Sequence, residues 1–192
     1  KTAANFAFAN RAVLTDRLFK GLRAELGETV ELSTLYDVSH NIAKIEDHVI
    51  HGKNCTCVVH RKGATRAFSG EQPELHSKFS RTGQPVIVPG DMGRGSWIMA
   101  GPHSGQNQAF GSACHGAGRA LSRSEARRQI NPEEKENELR NKGIIVQAAT
   151  KNILSEEAPE AYKDVDSVIK NTANADLARP IVRLEPLTVI KG

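Results

Sequence analysis

Hydrophobic and polar positions alternate in two ways along this chain. Ala3, Phe6, Ala7, Leu14, Leu18 and Leu22, with Asn10 in the same series, recur at three- and four-residue steps, which predicts an opening helix that Gly27 stops. "TLYDVSHNIAKIE" sets aromatic and apolar residues beside a polar cluster and reads as a strand end or a short helix. "TCVVHRKGATRAF" alternates as a strand, with His60 and Lys62 on one face and Cys57, Val59 and Arg61 on the other. "QPVIVPGDMGRGSWIMAG" predicts a short buried strand, a glycine-rich turn and a second apolar strand. "NPEEKENELRNKG" is a helix with Asn131 as N-cap, Pro132 in the first position, acids in the first turn and Gly143 as its stop. "GIIVQAAT" is a strand, "SEEAPEAYKDVDSVIKNTANADLA" a loop and then a helix, and "PIVRLEPLTVIKG" one or two closing strands. With no repeat and no low-complexity linker, the expectation is one mixed α/β domain over residues 1–192.

Composition narrows this picture only a little. Hydrophobic residues at 39% and charged residues at 25% suit a folded protein that is neither disordered nor membrane-embedded. No apolar run approaches the roughly 18 residues of a membrane span. Twenty-six Lys+Arg against 22 Asp+Glu leave a net charge of +4, which permits a polyanionic partner without requiring one. Cys55, Cys57 and Cys114 are an odd number without a disulfide spacing, so a reducing cytoplasm is the expected location. The chain opens at Lys1, inside a helical pattern, as a fragment or a processed product would.

The densest chemistry lies in "FGSACHGAGRALSRSEARR". The neutral imidazole of His115 offers a lone pair near pH 7, as a base, a ligand or a nucleophile. Gly116 and Gly118 let backbone amides approach an anion, and a helix starting here would point its positive end at it. Arg119 and Arg123, four apart on one helical face, suit forked donation to phosphate. A structural turn followed by a solvated basic helix reads the same residues equally well. "HGKNCTCVVH" is poor zinc spacing, because consecutive strand positions do not fold around one ion, and ordinary strand packing is expected. His40 has no second or third metal ligand nearby in sequence. Arg61, Lys62 and Arg66 around Gly63 suit phosphate oxygens or solvent, and the "PGDMGRGSW" turn either admits a nucleotide or merely reverses the chain.

Taken in order, "YDVSHNIAKIE", "VHRKGATRAF", "GQPVIVPGDMG" with "GSW", "AFGSACHGAGRALSRSEARR", "EEAPEAYKDVDSVI" and the terminal "VIKG" resemble successive blocks of the RtcB family of RNA-splicing ligases, from Ala3 to Gly192. The resemblance implies an enzyme that joins an RNA 3′-phosphate or 2′,3′-cyclic phosphate end to a 5′-hydroxyl end with GTP and manganese (Mn2+), in tRNA splicing or RNA repair. His115 matches the family's nucleophile, which carries GMP through a phosphoramidate bond. His40 matches a manganese ligand; Asn41 beside it has no assigned role. Ser96 and Lys191 match guanine contacts, Tyr162 the ring that packs on the base, and Ala117 and Gly118 backbone contacts to the nucleotide. Lys62, Arg119 and Arg123 match a cluster for the phosphates of GTP or RNA. Asp91 stands where other members carry serine, which leaves its role open.

Family members are longer, and their N-terminal half supplies the remaining metal ligands. The resemblance is therefore to the C-terminal half of a ligase, with the nucleophile and much of the guanine pocket but part of the metal site. The alternative is a non-catalytic remnant that binds nucleotide or RNA. An unrelated single-strand RNA module is disfavoured, since aromatic platforms are scarce at 5% of residues. The RNA substrate, and whether a protein activator takes part, are left open; no membrane partner is expected.

Overall fold

The computed structural model describes residues 2–73, 75–103, 105 and 108–191. Lys1 and Gly192, at the two ends of the sequence pattern, lie outside the described residues. Among those described, the alternating segments form four small sheets in a mixed α/β fold. Strands β1 (Asn41–Ile50) and β2 (Lys53–Lys62) make a long antiparallel ribbon. The ribbon reverses at His51 and Gly52, both at positive φ, the two-residue turn whose twist matches that of paired strands. Its inner face carries Glu46, His48, Val59 and Arg61, all buried, and its outer face pairs Ile45 with Val58 in the open.

Beyond the ribbon, β3 (Ala64–Arg66) pairs with β6 (Ser112–Cys114). A three-stranded antiparallel sheet is ordered β4 (Pro85–Asp91), β5 (Gly95–Ala100), β8 (Arg179–Leu184). A parallel pair joins β7 (Ile145–Ala148) to β9 (Thr188–Lys191).

Helices begin where side chains can satisfy their first amides. Ser122 accepts from Glu125 N at the start of α2 (Arg123–Gln129), and Asn131 from Glu133 N and Glu134 N at α3 (Pro132–Asn141). Asp164 accepts from Ser167 N at α5 (Val165–Asn174). A further helix, α4 (Lys151–Glu156), occupies a stretch not recognised as helical from sequence: at six residues it is too short to show a period.

Two apolar cores result. The first joins Val86 and Val88 of β4, Met99 of β5, Val165 and Ile169 of α5, and Ala113 and Ala117 on either side of His115. The second joins Met92, Leu139, Ile144 and Leu154 beneath the β7–β9 pair.

Residues 2–40 follow the elements read from sequence but contribute no buried residue. The opening helix α1 (Thr2–Leu26) forms with Gly27 at its end, yet none of its residues is buried, and Phe6 is 79% exposed. The segment 28–40 has no regular element, so of the two readings of "TLYDVSHNIAKIE" the strand end holds, with His40 immediately before β1. Among the described residues no helix is long and apolar enough to cross a membrane.

Leu139 is fully buried in the second core, whereas Leu14 on α1 is 54% exposed. In denaturant unfolding, Leu139→Ala is expected to cost about 2–5 kcal/mol. Leu14→Ala is expected to stay within about 0.5 kcal/mol. Equal losses at both positions would contradict this placement of the core.

Candidate active site

His115 follows β6 directly, and its neighbours hold it. Ala113 and Ala117 both pack into the first core, so the intervening residues have little freedom. The half-buried His115 ring stacks on His40 with centroids 4.5 Å apart and planes 8° apart. His40 is fastened in turn by its carbonyl, which accepts from Gly63 N at 3.0 Å. Gly63 lies at φ +70°, in the region L side chains avoid, and a Cβ there would touch Cδ2 and Nε2 of His115 at 3.5 Å. Lys62, exposed at the end of β2, stands beside this contact. Burial, and then the neighbouring His40, push the His115 imidazolium below its ordinary pKa. The neutral ring, with its lone pair, is thereby favoured.

The loop after His115 does not become the helix that the spacing of Arg119 and Arg123 suggests. Gly118 takes a φ of +75°, and the amides of Ala120 and Leu121 both donate to Ala161 O instead of entering a helix. Arg119 bridges to Tyr162 as extended chain, and α2 begins only at Arg123, behind its Ser122 cap. The two arginines therefore share no helical face, and no helix N-terminus points at His115. Ala117 N donates to Pro89 O at 2.9 Å, and Gly118 O accepts from Lys163 N at 2.9 Å, so the loop is tied to β4 and to the Tyr162 segment.

Tyr162, Arg119 and Lys191 meet at Glu157, a residue the sequence reading passed over. Its Oε2 accepts from the Tyr162 hydroxyl at 2.6 Å and from Lys191 Nζ at 3.2 Å. Its Oε1 accepts from Arg119 Nη1 at 3.4 Å. Burial alone would raise the Glu157 carboxyl, but the Tyr162 hydroxyl, Lys191 and Arg119 outweigh it and hold the group below its ordinary pKa. The Arg119 guanidinium covers one face of the Tyr162 ring at 4.9 Å. Arg119 also donates to Leu121 O and Glu156 O, so each of its three nitrogens is engaged within the protein. Arg123 is exposed and lies 3.6 Å from Glu156.

Ser96 and Lys191 line one groove of about 370 Å³, together with Pro89, Gly90, Asp91 and Glu185. Ser96 Oγ accepts from Gly90 N at 3.3 Å across a bulge between β4 and β5. The Asp91 side chain is fully buried and serves the turn. Its Oδ1 accepts from Gly93 N and Arg94 N at 2.9 and 2.8 Å, and its Oδ2 pairs with Arg94 Nε at 2.9 Å. Pro89 lines this groove and also holds Ala117, which joins the groove to the His115 loop.

Manganese takes several oxygen or nitrogen donors. Among the described residues no group of three or more His, Cys, Asp or Glu side chains is placed to hold a metal. His40 fits as one imidazole donor beside His115. Cys55 and Cys57 are free thiols on the ribbon, as ordinary strand packing requires.

A favoured neutral imidazole, held by the core and tied through Pro89 to a groove with a lysine and a serine on its walls, has a lone pair available to a proton, a metal or an electrophile. A family model described as tRNA-splicing ligase RtcB matches residues 1–192. Over its whole length the chain is 45% identical to a protein of Thermococcus kodakarensis named tRNA-splicing ligase RtcB, and it spans 40% of that relative. It is 45% identical to the protein of that name from Pyrobaculum aerophilum, again spanning 40% of it, and 44% identical to that of Pyrococcus abyssi, spanning 21%. The chain belongs to the RtcB family, and covers less than half the length of these relatives.

The Glu157 hub gives a measurable pH effect. Burial, and next the Glu157 carboxylate, hold the Tyr162 hydroxyl pKa up at about 12. With Tyr36→Phe as background, Tyr162 is the one remaining tyrosine. In that background Glu157→Gln removes the negative charge and is expected to bring its ionisation down toward the ordinary value of about 10. Ultraviolet difference absorbance against pH reads this directly, and an unmoved ionisation would contradict the hub.

Proposed function

We propose that this chain is the C-terminal, nucleophile-bearing part of a GTP- and manganese-dependent RNA ligase of the cytoplasm. It joins RNA 3′-phosphate or 2′,3′-cyclic phosphate ends to 5′-hydroxyl ends in tRNA splicing or RNA repair. The observation that carries this reading is the His115 ring, fixed between two residues of the core in a parallel stack on His40. Its family membership, and the name tRNA-splicing ligase carried by its relatives, support RNA as the substrate class.

GTP is a substrate here. A ring nitrogen of His115 attacks the α-phosphorus; the new P–N bond forms as the bond to the β-phosphate oxygen breaks, and pyrophosphate leaves. An oxygen of the RNA 3′-phosphate then displaces the imidazole, transferring GMP to the RNA end. Attack by the 5′-hydroxyl on the 3′-phosphorus seals the strand and releases GMP. Lys62 beside His115 offsets phosphate charge, and Arg119 and Arg123 extend the basic surface along the same loop. Ser96 and Lys191 on the groove read the guanine edge, and the Tyr162 ring packs on the base. His40 would hold manganese in part, and the metal would supply electrophilic assistance to phosphoryl transfer when bound.

His115 is then the residue that carries GMP. Mass spectrometry of the denatured, GTP-treated full-length ligase is expected to find a guanylate on His115, absent in a folded His115→Ala protein. That variant is still expected to seal RNA already guanylated at its 3′ end, because the last step no longer uses the imidazole. An adduct on a lysine, or an undiminished adduct in His115→Ala, would overturn the assignment.

A further inference from the structure

Buried charges are costly, and an ion pair inside a protein often stabilises it no better than hydrocarbon of the same volume would. The ribbon nonetheless buries one. Glu46 and Arg61 each expose 1% of their side chains, and Arg61 Nη1 and Nη2 donate to Glu46 Oε1 and Oε2 at 2.7 Å each. Two further bonds leave the ribbon: Arg61 Nε donates to Ser112 Oγ at 2.9 Å, and Nη2 to Phe110 O at 2.9 Å. Ser112 opens β6, the strand that ends one residue before His115. Phe110 turns the chain into that strand with φ at +53°.

The other end of the same connection is Gly63, two residues beyond Arg61. Here β2 gives way to β3 at a positive φ, Gly63 N donates to His40 O at 3.0 Å, and a Cβ on Gly63 would lie 3.5 Å from the His115 ring. β6 pairs with β3, Ala64 facing Cys114 and Thr65 facing Ala113. Gly63 is thus a pivot between the ribbon that carries His40 and the strands that carry His115, and the Arg61 fork spans that pivot. From this geometry we infer that Arg61, clamped by Glu46, is a positioning residue: it fixes the angle of the ribbon against β6 and so keeps the His40 ring parallel to His115. The inference deepens the proposed function and rests on His115 as the nucleophile.

The test uses the full-length ligase with two substitutions. Arg61→Lys keeps the charge opposite Glu46 but loses the planar fork that reaches four acceptors. Ser112→Ala removes only the acceptor on β6, and keeps the question open to test should Arg61→Lys fail to fold. The readouts are the single-turnover guanylylation rate, the affinity for GTP, and the ring-to-ring nuclear Overhauser contact between His40 and His115 at fixed pH without nucleotide or metal. A misplacement on the ångström scale lowers rates on the order of 10- to 100-fold. Arg61→Lys is expected to slow guanylylation by that factor with GTP affinity little changed and the ring contact weakened, and Ser112→Ala to move both in the same direction by less. Wild-type rate and ring contact in the folded variants, with only a lower melting temperature, would overturn the inference and leave the pair merely structural. If the unmodified ligase carries no guanylate on His115, the nucleophile assignment fails separately, and the ring contact still decides whether Arg61 positions the pair.

Discussion

One guanidinium in the interior, that of Arg61, ties together parts of the chain that the backbone joins only through a glycine. Its four acceptors, two on Glu46 and one each on Ser112 and Phe110, are fully used. Removing Glu46 would leave the Arg61 charge buried without that carboxylate, at a cost of several kcal/mol, and removing Arg61 would leave the buried Glu46 carboxylate to His48 Nε2 at 3.2 Å. The ribbon is thereby held against β6, and the contacts at Gly63, His40 and His115 depend on that hold.

From there the site is built in two halves with one joint. The first core fixes His115 through Ala113 and Ala117. The second core supports the β7–β9 pair, which sets Lys191 opposite Ala148 and within reach of Glu157. Pro89 is the joint: its carbonyl holds the His115 loop while its ring lines the groove shared by Ser96 and Lys191. Tyr162 is fixed to both halves, through the Arg119 bridge and through Glu157. Residues scattered from Ser96 to Lys191 in sequence are in this way gathered around a single loop.

Much of the architecture was legible from local pattern. The α3 cap at Asn131, the β4–β5 hairpin and the alternation of β2 that buries Arg61 all follow rules that act within a few residues. What escaped depends on distant partners. The helix expected across Arg119 and Arg123 is displaced because Ala161, forty residues away in sequence, takes the amides that would have started it. Glu157 gave no signal, since its role exists only where Tyr162, Arg119 and Lys191 converge. The Glu46–Arg61 pair did leave a trace, a charge on the buried face of a strand, but its partner on the facing strand is four residues out of direct register. The block resemblance named His115, His40 and the groove residues without showing how they meet.

The site depends on a His115 ring that is fixed with its neutral form favoured, and its imidazole pKa tests that most directly. Burial and the stacked His40 push it down, so a pH titration of the His115 ring resonances is expected to find its midpoint below the ordinary histidine value of about 6.5. The lone pair is then present throughout the neutral range. A midpoint at or above that value would contradict a ring held by burial against His40.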